Sequence, residues 1–127
     1  MPIEVSWYQE PRIIYAALKG IITVEDLRTS GVAIQNLIKT GTAPVHEVVE
    51  VVELGRFPTD FMQIRSATGY LREPKLGQVM FVDPAKNVLL EFFINAVDKL
   101  SRVDVRKVES MAAALAYLHT IDPTLSD

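Results

Sequence analysis

Two histidines, a cluster of glutamates and one threonine ahead of a helix are the residues of this chain best suited to chemistry. His46, Glu47, Glu50 and Glu53 fall within a single short stretch, VHEVVEVVEL. On a helix, residues three and four apart share a face, and these four would then group as metal ligands. On a strand only His46 and Glu50 share a face, and Glu47 and Glu53 point away from them. Five valines in the eight residues from Val45 to Val52 favour the strand. So does the preceding Gly41-Thr42-Ala43-Pro44, which restarts the chain in extended geometry. No metal or other cofactor is therefore expected. Glu50, between Val48 and Val52 on one strand face, would be partly desolvated and its pKa pushed upward. Its simplest role is pairing with a basic residue from a neighbouring helix, or exposure at the strand end. His119, near the end of the last helix, complements the helix dipole, and Asp83 before Pro84 reads as a turn or cap residue.

The second focus is the loop that follows the valine run. Thr59 stands where a helix begins, and an N-cap threonine satisfies an orphan backbone N–H. A phosphate on that hydroxyl would meet a helix N-terminus and change the local charge sharply. Pro58 and Asp60 flank it. Arg56, Arg65, Arg72 and Lys75 oppose only Asp60 and Glu73 in this region, a local positive excess able to receive an anionic partner. Signatures of common enzymes are missing: the chain has no G-x-G-x-x-G, no Walker lysine loop, no G-x-S-x-G and no H-E-x-x-H. A non-catalytic role is expected.

Composition narrows the class. With 127 residues the chain suits one domain with a self-sufficient core. It has no cysteine, which excludes disulfides and thiolate chemistry and suits a cytoplasmic location. Sixteen acidic against thirteen basic residues give a net charge of −3, opposite to the field that a phosphate-tracking surface needs, so nucleic acid is not an expected partner. Apolar runs such as Ile13–Leu18 are far shorter than the ~20 residues of a membrane span. The N-terminus MPIEVSWYQE lacks the pattern of a secretory signal.

Periodicity then supplies the elements that position these residues. Ile3, Val5 and Trp7 alternate with polar neighbours and, with RIIYAALKG, form an antiparallel hairpin over residues 3–20 whose first strand is an edge. Thr23 and Asp26 form a capping pair for a helix over 24–39. Residues 45–54 form the third strand. The stripe Phe61, Ile64, Ala67, Thr68 and Leu71 predicts a second helix opening at Thr59 and ending near Arg72. Gly77–Asp83, apolar at consecutive central positions, is a strand covered on both faces. From Pro84 onward a third helix carries a wide apolar arc that includes Leu90, Phe92, Phe93 and Ile94. A short strand over 103–108 and a helix capped by Ser110 complete the chain. The expected fold is α/β, β-β-α-β-α-β-α-β-α, with four helices and a five-stranded mostly parallel sheet bearing an antiparallel N-terminal edge strand. Residues 1–122 form one domain and 123–127 a short tail.

This order, together with Val48-Val49-Glu50 followed by Pro58-Thr59, resembles the STAS family of bacterial anti-sigma factor antagonists and sulfate-transporter domains. Ala114, Leu115, Tyr117 and Leu118 also look like the ending of the antagonist-like subgroup related to CRAL/TRIO lipid carriers. The resemblance implies a regulatory, signalling or protein-interaction module, with Thr59 in the place of a regulatory phosphoserine. It departs where Pro58 replaces the aspartate before that serine and Glu50 replaces a strand aspartate. The expected partner surface is Arg56, Pro58, Thr59, Asp60 and Arg65. The alternative is a lipid or small-molecule site, or a homodimer face, on Leu90, Phe92, Phe93 and Ile94.

Overall fold

The computed structural model describes residues 2–125. Strand β1 (Ile3–Gln9) turns through Pro11 into β2 (Ile13–Ile21), which lies antiparallel to it. Helix α1 (Val24–Thr40) then crosses over to β3 (Val45–Arg56), and α2 (Phe61–Ala67) leads to β4 (Leu76–Val82). Helix α3 (Val88–Leu100), β5 (Val105–Val108) and α4 (Met111–Ile121) follow. The sheet order is β1-β2-β3-β4-β5, with every pair after the first parallel. The α/β class, the four helices and the antiparallel edge strand are those read from the sequence.

Three helices cover one face of the sheet and one covers the other. Leu27, Ile34 and Ile38 of α1, Ile64 and Ala67 of α2, and Leu90, Phe93 and Val97 of α3 form the larger core. The opposite core is smaller, with Ala114 and Leu118 of α4 packed on Ile13, Val48, Met80 and Val82. Leu125 is buried in this second core, so the chain beyond Pro123 folds back onto the domain as far as it is described. Residues 126–127 of the expected tail lie outside the described residues.

Local chemistry sets the element ends. Thr23 and Asp26 make the reciprocal capping box expected for α1. A Cβ at Gly31 would lie 2.6 Å from the Ala67 carbonyl oxygen, so this glycine lets α1 approach the end of α2. Helix α2 is shorter than the apolar stripe suggests. The buried Thr68 hydroxyl donates to the Ile64 carbonyl at 2.7 Å, and the Thr68 N–H turns instead to Arg65. That competition ends the α-helix, and Gly69–Arg72 continues as a 3-10 turn. Helix α3 starts after Asn87 rather than at Pro84, because Lys86 adopts a left-handed φ of 55° and Asp83 accepts from the Asn87 N–H at 2.8 Å. Among the described residues no helix is long and apolar enough to cross a membrane.

Candidate functional site

Strand β3 lies third of five and is the element on which the reactive residues sit. Its successive side chains alternate between the two cores, so His46 and Glu47 are neighbours in sequence on opposite faces. Both are buried.

His46 faces the α4 side. Its Nε2 lies 2.8 Å from Asp122 Oδ2, and its Nδ1 accepts from the Gln78 backbone N–H at 2.8 Å. Accepting at Nδ1 fixes the ring as the neutral tautomer that donates from Nε2. Burial lowers the His46 pKa below its ordinary value, against the opposing pull of Asp122. Arg12 Nη2 reaches the same Asp122 oxygen at 2.5 Å, and Arg12 Nε donates to the Pro44 carbonyl. Burial alone would raise Asp122, but hydrogen bonds from Thr124 and His46, with Arg12 beside them, hold it at about 2. Arg12, His46 and Asp122 thus tie the start of β2, the start of β3 and the end of α4 together. Each polar atom in this triad has a partner, which is the pattern of a clamp.

Glu47 faces the larger core. It is 1 % exposed, and neither carboxylate oxygen has a hydrogen-bond partner of normal geometry. The Tyr70 hydroxyl is close enough to favour its ionised form, but burial dominates and pushes the Glu47 pKa from 4.5 to about 8. Tyr70 is itself displaced well above its ordinary value by burial and by Glu47. A cavity of about 20 Å³ opens beside the pair, lined also by Ile3, Ser30 and Phe93.

A scan of protein-family models and a search of curated proteins found no match to this chain. Its site is therefore read from geometry.

Glu50 shares a strand face with His46 as expected, but its partner is the Tyr15 hydroxyl rather than a basic residue from a helix. Burial, followed by the bond to Glu50, pushes Tyr15 up to about 12. Glu53 is exposed in register with Lys19. His119 occupies the last turn of α4. Among the described residues no group of three or more His, Asp or Glu side chains is placed to hold a metal.

The loop after β3 differs from the sequence reading at its centre. Thr59 is not the cap of α2. Asp60 is, with Oδ1 accepting from the N–H groups of Met62 at 2.9 Å and Gln63 at 3.2 Å. Asp60 is one position closer to Phe61 and Ile64, whose burial fixes the first turn of the helix. Thr59 is exposed one residue outside it, and the amides that would greet a phosphate are already occupied by a carboxylate. Pro58 is half-buried, and Arg56 and Arg65 are exposed. Lys75 does not join them, since its Nζ binds the Lys39 and Gly41 carbonyls at the end of α1.

The apolar arc of α3 is mostly used in packing. Leu90 and Phe93 are buried in the larger core, where Phe93 packs against Phe57 with the rings tilted at 56° and meets Phe81 edge-on. Ile94 packs partly against the same core, and only Phe92 of the four is exposed, at 42 %. Leu90 and Phe93 therefore bind the helix to the sheet rather than line a cleft. Burial of Glu47 and the partnership of Arg12 with His46 and Asp122 were not anticipated. Glu47 did have a local signal, since it lies between Val45 and Val49 on one strand face, as Glu50 lies between Val48 and Val52.

Proposed function

We propose that this protein is a non-catalytic regulatory module of STAS-like architecture that binds a protein partner. The partner surface is the end of the sheet where β3, the loop over 57–60, α2 and the start of α3 meet. One observation carries the reading: large apolar side chains stand exposed on these adjoining elements, with Val52 at 58 %, Met62 at 63 % and Val88 at 82 %, alongside the exposed Arg56 and Arg65. Exposed apolar groups mixed with arginine and methionine are the composition of interaction surfaces. The loop is held as a rigid platform by Phe57 against Phe93 and by Asn87 Nδ2 donating to the Leu54 carbonyl at 3.3 Å. The element order and the antiparallel first strand agree with what the STAS resemblance implies, which supports the reading. Thr59, exposed beside this surface, is the residue through which added charge would alter the contact.

The test is to isolate the full chain from its own host and compare it with a Met62→Asp/Arg65→Glu double variant by native mass spectrometry. A stoichiometric partner that the double variant loses is expected. Recovery of both proteins as bare monomers, or an equal complex with both, would overturn the proposal.

A further inference from the structure

A groove of about 520 Å³ runs between the edge strand β1 and helix α1, with Ile3, Val5, Ser30 and Ala33 among its walls. Two acidic residues, Glu4 and Asp26, line it, and no lysine, arginine or histidine does. Ile3 and Ser30 also line the small cavity that holds Glu47 and Tyr70, so these two residues are a shared wall between the surface groove and the buried Glu47 carboxyl. Buried polar groups are normally well hydrogen-bonded, and Glu47 has only the Tyr70 hydroxyl near it, outside normal hydrogen-bond geometry, which leaves acceptor capacity for a further donor. We propose that the groove and the cavity behind it form one binding site for a small aliphatic amine, with the ammonium head on Glu47 and the alkyl chain in the groove.

Size, charge and hydrogen bonding each select this class. A cavity of about 20 Å³ admits one water-sized group, and an ammonium head is of that size. An ammonium has three protons to donate. The residues lining the cavity include three that carry acceptor oxygens, Glu47, Tyr70 and Ser30, the last with its own proton committed to the Leu27 carbonyl at 3.1 Å. A buried ion pair is favourable only when its remaining donors are satisfied, and the proposed complex assigns one of these oxygens to each ammonium proton. The carboxylates of Glu4 and Asp26 attract a cation and repel an anionic amphiphile. The site lies along the β1 edge and does not depend on the partner surface around α2.

The experiment is a titration of the full chain, carrying ¹³C-labelled glutamate carboxyls, with n-hexylamine, 1-hexanol and hexanoate in parallel. Saturable binding of n-hexylamine is expected, with the Glu47 carboxyl signal moving toward its ionised position and the alcohol and acid at least roughly tenfold weaker. Glu47→Gln should weaken n-hexylamine by at least roughly tenfold. Ala33→Phe, at an exposed position of α1, should block the groove and abolish binding without disturbing the core. Ala33→Phe also tests the site if the Glu47 variant does not fold. Equal affinity for n-hexylamine and 1-hexanol, no saturable binding, or n-hexylamine binding unchanged in either folded variant would overturn the proposal.

Discussion

Replacing Glu47 by glutamine should stabilise the ligand-free protein at pH 7 and leave it nearly unchanged at pH 5. The carboxyl is raised from 4.5 to about 8 by burial, so the folded state holds a proton that the unfolded state has lost throughout that window. A raised carboxylate pKa means that stability is highest below pH 4.5 and declines as pH rises toward 8. At about 1.4 kcal/mol per pH unit, the interval from 4.5 to 7 amounts to roughly 3 kcal/mol of destabilisation, and the interval to pH 5 to under about 1 kcal/mol. Glutamine keeps the shape and removes the titration. Urea denaturation of both proteins at pH 5, 6, 7 and 8 measures the difference. His46 adds its own pH dependence to both profiles: its pKa is lowered, so its contribution is complete above its ordinary value of 6.5 and is lost as pH falls. Subtracting one protein from the other cancels that term. A difference that is constant with pH, or a variant less stable than wild type at pH 7, would refute the placement of Glu47 as a buried acid with no charge partner.

Asp122→Ala should destabilise by about 2 kcal/mol, because it leaves Arg12 and His46 without their common acceptor; chemical denaturation at pH 7 measures it. With Asp122 held at about 2, this contribution is complete above pH 4 and fades as pH falls toward 2, and the gap between variant and wild type should close there. Asp60→Ala should lose about 1 kcal/mol while Thr59→Ala stays within about 0.5 kcal/mol, a comparison of thermal unfolding that tests which residue caps α2. Gly77→Ala should be disruptive, since its Cβ would lie 2.6 Å from His46 Nδ1. The Gln78 N–H to His46 bond should break, visible as a changed His46 signal in ¹⁵N NMR together with a lowered unfolding midpoint.

The strands and their order were legible because valine-rich and alternating runs carry their own periodicity, and because βα units admit few topologies. Caps were legible where one residue dominates, as at Thr23 and Ser110. They were not where two good capping residues adjoin, as at Thr59 and Asp60, since the choice rests on which position places Phe61 and Ile64 inward. The end of α2 depended on a Thr68 hydroxyl competing for a backbone carbonyl, which propensity does not report. The clamp of Arg12 and Asp122 joins residues 110 apart and has no local trace. Glu47 was passed over for a different reason. Pointing away from His46 says nothing of solvent, because an interior parallel strand is covered on both faces.

The contrast between the two neighbouring residues on β3 decides where ligand chemistry belongs. His46 is enclosed by Gln78, Asp122 and, through Asp122, by Arg12. Any incoming group would have to displace a bond already made, so this cluster resists binding and serves the fold. Glu47 is enclosed by apolar side chains with the Tyr70 hydroxyl beside it, and has no hydrogen bond of normal geometry that a ligand would have to displace. A leucine or methionine at position 47 would fill the same volume without the penalty of burying a carboxyl, so the fold alone gives no reason for an acid there. A destabilising polar group facing a cavity that shares a wall with a surface groove is the arrangement expected when stability is traded for recognition. Binding of a cation there would satisfy the carboxyl and add stability in proportion to occupancy, so the residue that weakens the free protein becomes the one that reports the ligand.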